Sequence, residues 1–296
     1  MRGNISFASY RYFIIPMEQI SLFDIVEEKR KESVNKFFKR LESEKKLTFT
    51  LEKRKHILFY NRMVNKNILI CKFSRESFET RYQEGEEDIE DFLEPNFPFI
   101  FLIIDTERQI ILMEIKTNVF SSIEAAKNKL EKCINDVFAI SGFEVKLEEI
   151  SDEDGFWNYV DGATGIYGLT LKMNSPNLFG GYIDTNEMLR EINQEYNNTG
   201  TSIGITNKKP QIQNVNKDNK KLANAIKYVS GGGGEWTLTA ETKNGKRTFR
   251  SKHNVKKVSI KHLEESNDKN SINKEIIDSL ESVETILIRR KQNEDK

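Results

Sequence analysis

"FPFIFLIIDTERQIILMEIK", residues 97–116, places an apolar run on each side of the polar tetrad Asp105-Thr106-Glu107-Arg108. Two strand-length runs around such a turn predict an antiparallel hairpin, with one strand over 97–104 and the other over 109–116. Downstream, "SIEAAKNKLEKCINDVF" (122–138) has helical spacing behind Ser121 or Ser122 as cap, and "FEVKLEEI" (143–150) offers a further strand to the sheet. Upstream, the alternating runs 47–53, 57–64 and 67–73 predict antiparallel strands, and the opening "MRGNISFASYRYFIIP" alternates in the same way. A helix from Asp24 to about Glu44 puts Ile25, Val26, Val34, Phe37, Phe38 and Leu41 on one side, with Ser21 or Asp24 as its cap. Residues 84–94 carry seven acids and no base, which reads as a solvated loop or helix face.

The texture changes in "SDEDGFWNYVDGATG" (151–165), where Gly, Asp and aromatic residues crowd together, and a domain boundary is expected there. Beyond it come a strand at 165–174, a turn-rich loop at 175–182, a helix at 186–197, a strand at 201–208 and a helix at about 217–229. "GGGGEWTLTAETKNGKRTFRSK" reads as a flexible lead into a strong hairpin, with the glycines serving as a hinge or a close backbone approach. A terminal helix over about 271–290 spaces Ile276, Leu280, Val283 and Leu287 as a core-facing stripe or a short coiled-coil seam. The expected fold is α+β: an N-terminal antiparallel-sheet domain over 1–155 and a smaller mixed domain over 156–296 that carries the hairpin.

Composition removes several functions. The 46 basic and 46 acidic side chains cancel, so any case for a polyanionic partner must come from a local patch. Two cysteines and three histidines are too few for a disulfide framework or a zinc site built from soft ligands. No signal-peptide apolar region is evident, and the most apolar run, 97–104, is too short to span a bilayer, so a cytoplasmic protein without membrane insertion is expected.

Glu114 and Lys116 match the short half of the metal-nuclease signature PD-(D/E)xK. That chemistry needs a second acid beside Glu114 so that two carboxylates share one Mg or Mn ion while the lysine steers water. A tight hairpin sets Glu114 opposite residues 99–101, which are Phe99, Ile100 and Phe101. Asp105 at the turn is about 16 Å from that point, at roughly 3.3 Å per residue. Glu94 and Asn96, in "EPNF", are the remaining partners, and Asn96 stands where the signature wants an Asp. A divergent nuclease using Glu114, Lys116, Glu94 and Asn96 is therefore the alternative reading. "YVSGGGGEW" lacks the Gly-Lys-Ser/Thr ending of a phosphate loop, and His56 and His262 are flanked by lysine and apolar residues as ordinary histidines are.

The most informative patch runs from Lys243 to Lys261. It holds Lys243, Lys246, Arg247, Arg250, Lys252, Lys256, Lys257 and Lys261 without one acid. Asn244-Gly245 predicts a type I′ turn, which would set Lys243 opposite Lys246, Thr242 opposite Arg247 and Thr239 opposite Arg250. Trp236, Leu238, Ala240 and Phe249 then share the buried face, while Lys243, Lys246, Arg250 and Lys252 share the exposed one with Thr237, Thr239 and Thr248. Cations interleaved with hydroxyls suit phosphate contacts. A charged face that merely keeps the hairpin soluble is the competing explanation.

In block order the chain resembles the RexA-type prophage exclusion proteins. Both begin with a strand-rich half holding a Phe-Pro-started apolar hairpin, here 97–116. Both continue through a strand, here "GIYGLTLKMN", and helices to a late hairpin, here "EWTLTAETKNGKRTFRS", and a C-terminal helix. The resemblance implies a homodimeric, non-enzymatic protein without a cofactor. It would bind duplex DNA with little sequence preference and act in phage exclusion beside a neighbouring defence protein. It brings no catalytic residue. The expected nucleic-acid contacts are Lys243, Lys246, Arg247, Arg250, Lys252, Lys256 and Lys257. A scaffold subunit docking through the 276–287 stripe is a further alternative.

Overall fold

The computed structural model describes residues 4–17, 23–85, 88–174, 189, 191–192, 195–196, 198, 200–211, 215–261, 263 and 269–284. The loop expected at 175–182, much of the helix expected at 186–197, His262 and Leu287 lie outside them.

The chain is α+β and built on antiparallel sheets. The 97–116 hairpin forms as β7 (Phe99–Asp105) and β8 (Ile110–Glu114), with Ile104 opposite Ile111 and Leu102 opposite Met113. Asp105 closes its turn: Oδ1 accepts from the backbone N–H groups of Glu107 and Arg108 at 2.9 Å each. This hairpin lies inside an eight-stranded sheet ordered β14 (Lys257–Ile260), β1 (Ile5–Pro16), β8, β7, β4 (Ile68–Arg75), β3 (Arg54–Met63) and β2 (Lys46–Leu51). The eighth strand, β9 (Phe143–Glu149), pairs with β1 over Tyr10–Pro16, beyond the stretch Ile5–Ala8 where β14 pairs.

Both faces of this sheet are covered, which explains why its central runs are apolar without alternation. Leu102, Ile104, Ile111 and Met113 face a core closed by α1 (Phe23–Glu44), through Val34, Phe37 and Leu41, and by α2 (Ile123–Phe138), through Leu130, Cys133 and Ile134. Ser122 caps α2, its hydroxyl accepting from the Ala125 N–H at 3.0 Å. Ile103, Ile110 and Leu112 face the opposite side, where α5 (Lys269–Val283) packs Ile272, Ile276, Leu280 and Val283. The terminal stripe is thus a core-facing one.

A second sheet, ordered β11 (Gly200–Gln211), β10 (Gly165–Asn174), β12 (Gly234–Thr242) and β13 (Gly245–Arg250), buries one face under α3 (Glu153–Asp161) and α4 (Lys220–Tyr228). Its core gathers Phe156, Trp157, Leu169, Leu171, Ile226, Trp236 and Leu238. After β13 the chain returns to the first sheet through β14 and α5.

Residues 151–165 hold α3: Asp152 caps it by accepting from the Asp154 N–H at 3.2 Å, and Glu153 and Asp154 suit its first turn. Two expectations are corrected, and of the two readings of the glycines the close backbone approach is the one observed. The glycine run is no flexible lead. Val229–Gly233 form a buried π-turn in which Gly232 sits at φ +86°, and a Cβ there would lie 2.7 Å from the Arg11 Cβ. The close approach of backbone demanded glycine. Finally, the described residues of the acidic stretch 84–94 are mostly exposed but belong to a ribbon of β5 (Ser77–Glu84) and β6 (Ile89–Asn96), outside both larger sheets.

Candidate nucleic-acid interface

The basic hairpin turns one residue earlier than a type I′ turn would. Thr242 pairs with Gly245, Thr239 with Thr248 and Thr237 with Arg250. Gly245 takes φ +86° while Asn244 stays at negative φ, so Lys243 and Asn244 are the centre of the turn and Gly245 follows it in the left-handed region. Thr242 fixes this geometry: its Oγ1 donates to the Gly245 carbonyl at 2.9 Å and accepts from the Asn244 N–H at 3.2 Å. The pairing predicted from Asn-Gly is therefore corrected by two residues. Side-chain alternation has a period of two, so the paired strand residues keep their predicted faces, while Lys243 moves into the turn.

Trp236, Leu238 and Ala240 are buried, and Phe249, opposite Leu238, stacks on Tyr159 at 4.1 Å between ring centroids. The other face of the sheet is open. It carries Thr237, Thr239, Thr248, Arg250 and Lys246, with the Thr239 and Thr248 hydroxyls 3.2 Å apart. Thr170 and Lys172 of β10 continue it, because Thr170 pairs with Thr237 and Lys172 with Glu235.

Two carboxylates also lie on this face. Glu235 is taken up by Lys172 at 2.6 Å, and that contact holds the Glu235 carboxyl below its ordinary range and the Lys172 ammonium above its own. Glu241 stands opposite Lys246 but accepts from the Tyr167 hydroxyl at 2.8 Å, which raises the Tyr167 pKa. Lys246 lies instead over the Tyr167 ring, 4.3 Å from its centroid. Tyr167 was not foreseen. It sits where the β10 register shifts between Ile166 and Gly168, which takes it out of the simple alternation of "GIYGLTLKMN".

The predicted eight-cation patch divides. Lys243, Lys246, Arg247 and Arg250 are exposed on the hairpin, and none of them makes an ion pair among the described residues. Arg247 lies opposite Ala240, on the edge of the covered face. Lys252 follows the hairpin in the short 3-10 turn Ser251–His253, 3.8 Å from Glu124, and so does not extend the ribbon. Lys256 donates to the Ser282 carbonyl at 2.5 Å, tying α5 down, while Lys257 belongs to β14 opposite Ala8 and Lys261 follows that strand.

Each of the four residues of the nuclease alternative is held by a partner outside that set. Glu114 faces Phe101, as expected, and its Oε2 accepts from the Phe101 N–H at 2.8 Å. Lys116 donates to the Phe99 carbonyl at 3.3 Å. Glu94 and Asn96 lie on β6, where Glu94 accepts from Arg81 Nε at 3.0 Å and Asn96 donates to Glu79. Among the described residues no group of three His, Cys, Asp or Glu side chains is placed to hold a metal ion. The described part of the chain likewise contains no helix long and apolar enough to cross a membrane. No protein-family model and no curated protein sequence matches the chain.

Proposed function

We propose that this protein binds nucleic acid, with duplex DNA as the preferred substrate and little sequence preference, through the open face of its second sheet. The observation that carries this reading is the set of exposed hairpin cations without ion-pair partners among the described residues: Lys246 and Arg250 stand on the open face beside the hydroxyls of Thr237, Thr239 and Thr248, with Lys243 at the turn and Arg247 on the hairpin's opposite rim. Unpaired cations can neutralise phosphates and release counterions, and hydroxyls add neutral donors. Tyr167 already lies under Lys246 and gives the surface one aromatic ring, too little for a stacking platform that reads bases.

The biological role in this reading is phage exclusion in the cytoplasm, by a non-enzymatic protein that assembles with itself or with a neighbouring defence subunit. The resemblance in block order to RexA-type proteins supports it.

Titration of labelled duplex DNA over a salt series tests the binding half. The expected result is affinity at low salt that falls with added salt. Replacing the four cations by Ala should make the log–log slope shallower by about 0.9 for each phosphate that is no longer neutralised. Absence of binding at low salt, or a slope indifferent to those substitutions, removes the reading.

A further inference from the structure

The outer strand of the second sheet, β11, holds "TSIGITN" (201–207), and the character of that run is the same read in either direction from Gly204. Ile203 and Ile205 flank the glycine, the hydroxyl residues Ser202 and Thr206 come next, and the polar Thr201 and Asn207 close the run. One edge of β11 pairs with β10, and the other pairs with no strand among those described. Residues 202–206 are all exposed. Ile203 and Ile205 are 39% and 41% exposed although they stand opposite the buried Leu171 and Leu169, on the covered face of the sheet.

Edge strands that stay single are blunted by charge, proline or a bulge. The opposite edge of this sheet has such protection, because Lys246, Arg247 and Arg250 lie along β13. β11 has none from 200 to 207. No charged residue and no proline occurs there, and its register with β10 is unbroken from Gly200 to Thr206. Gly204 is a second, independent observation. Glycine weakens a strand interior, and it marks a bulge, a bend or the approach of another backbone. Here there is no bulge, φ lies outside the left-handed region, and a Cβ would meet nothing within 4 Å among the described residues. Nothing described within one copy calls for glycine at this place.

The mirrored pattern selects the occupant of the edge. Any extended segment could take up the outward backbone groups, but two antiparallel strands related by a dyad set residues equally distant from it opposite each other. With the dyad at Gly204, Ile203 faces Ile205 of the second copy on the covered side, and Ser202 faces Thr206 on the open side, so every pair is alike in character. Lys208 falls opposite Gly200, and no cation meets another.

We infer that two copies of this chain join through the free edge of β11, antiparallel about a dyad at Gly204, so that their four-stranded sheets become one. This rests on the self-assembly half of the proposed function, not on nucleic-acid binding.

Cysteine cross-linking of the full chain without nucleic acid tests the edge and its register. The chain's own thiols, Cys71 and Cys133, are buried. Directly opposed residues of antiparallel strands have Cα atoms about 4.5–5.5 Å apart, within reach of a disulfide, so Gly204→Cys should oxidise to a covalent dimer on a non-reducing gel. Ser202→Cys should not, because two such residues would lie four positions apart along the strands, about 14 Å at roughly 3.4 Å per residue. Ser202→Cys/Thr206→Cys should link again. Sedimentation equilibrium should give the mass of a dimer for the wild type and of a monomer for Ile203→Lys/Ile205→Lys, which sets like charges against each other across the dyad. Thermal unfolding of that variant should match diluted wild type, because both side chains are already exposed in one copy. A monomeric wild type overturns the proposal, and so does a dimer that survives Ile203→Lys/Ile205→Lys. Ser202→Cys linking as readily as Gly204→Cys overturns the dyad at Gly204. A dimer that passes these tests but binds no DNA would sink the nucleic-acid reading while leaving this one standing.

Discussion

Arg11 donates through Nε to the carbonyl oxygen of Gly231 at 2.7 Å, a buried hydrogen bond between residues 220 positions apart. Its Nη1 donates to the Arg108 carbonyl, also at 2.7 Å, so one guanidinium joins β1, the β7–β8 turn and the glycine turn that precedes the basic hairpin. Burial lowers the Arg11 pKa, and the charge of Glu284, the largest opposing influence, works against that. Gly232 lies directly over this side chain. Gly232→Ala must place a Cβ at positive φ and against the Arg11 Cβ, so a loss of about 2–4 kcal/mol is expected. The denaturant midpoint of the purified variant checks this; an unchanged midpoint would show that the glycine turn does not need its close approach.

The stripe on α5 sets a second expectation. Ile276 and Leu280 are fully buried against Ile103, Ile110 and Leu112 of the large sheet, so they are not available as a docking face for another subunit. Leu280→Ala should cost about 2–5 kcal/mol through the cavity it leaves. Chemical denaturation measures it. A cost under about 0.5 kcal/mol, the range of ordinary surface substitutions, would return the stripe to the scaffold reading.

His56 gives the fold a pH dependence. It is buried beside Phe73, with ring centroids 6.0 Å apart, and Nδ1 is 3.3 Å from the Arg54 carbonyl. Desolvation lowers its pKa below the ordinary 6.5, and Lys129 and Arg75 act in the same direction. The unfolded chain therefore binds the proton more readily than the fold does. Stability contributed by the neutral ring is present above about 6.5 and is lost as pH falls through that value towards the folded pKa, by at most about 1.4 kcal/mol per pH unit. Unfolding midpoints between pH 7.5 and 5.5 should show this fall, and His56→Gln should flatten it. An equal slope in the variant would assign the effect to carboxylates instead.

What could be read from the sequence was whatever alternation and capping decide locally. The 97–116 hairpin, the helix behind Ser122 and the two faces of the basic ribbon all follow from patterns within about twenty residues. Glu114 facing Phe101 followed from counting back from the turn. What escaped depends on contacts distant in sequence. Nothing in "GGGGEW" reveals that Arg11 will lie beneath it, and nothing in Lys256 or Lys257 shows that they rejoin the first sheet and α5 instead of prolonging the basic face. Tyr167 escaped because a bulge breaks its strand's alternation. In the β5–β6 ribbon, eight acids disguised a pair of strands whose one side carries Phe78, Tyr82, Ile89 and Leu93 together with Glu84 and Asp91, since charge density in a segment is a stronger signal by eye than a period of two.

Glu241 tests which side of the hairpin meets a polyanion. It is the carboxylate opposite Lys246, on the face with Arg250 and the threonines, whereas Arg247 points to the other side. If phosphates lie on the open face, Glu241→Gln removes a repulsion and tightens duplex binding several-fold at low salt. Lys246→Ala and Arg250→Ala should each weaken it by roughly tenfold, and Arg247→Ala by less. Fluorescence anisotropy at a fixed low salt concentration compares the four variants directly. Should Arg247→Ala prove the most damaging and Glu241→Gln have no effect, the contact would belong to the hairpin's opposite rim, and the threonines would be surface rather than site.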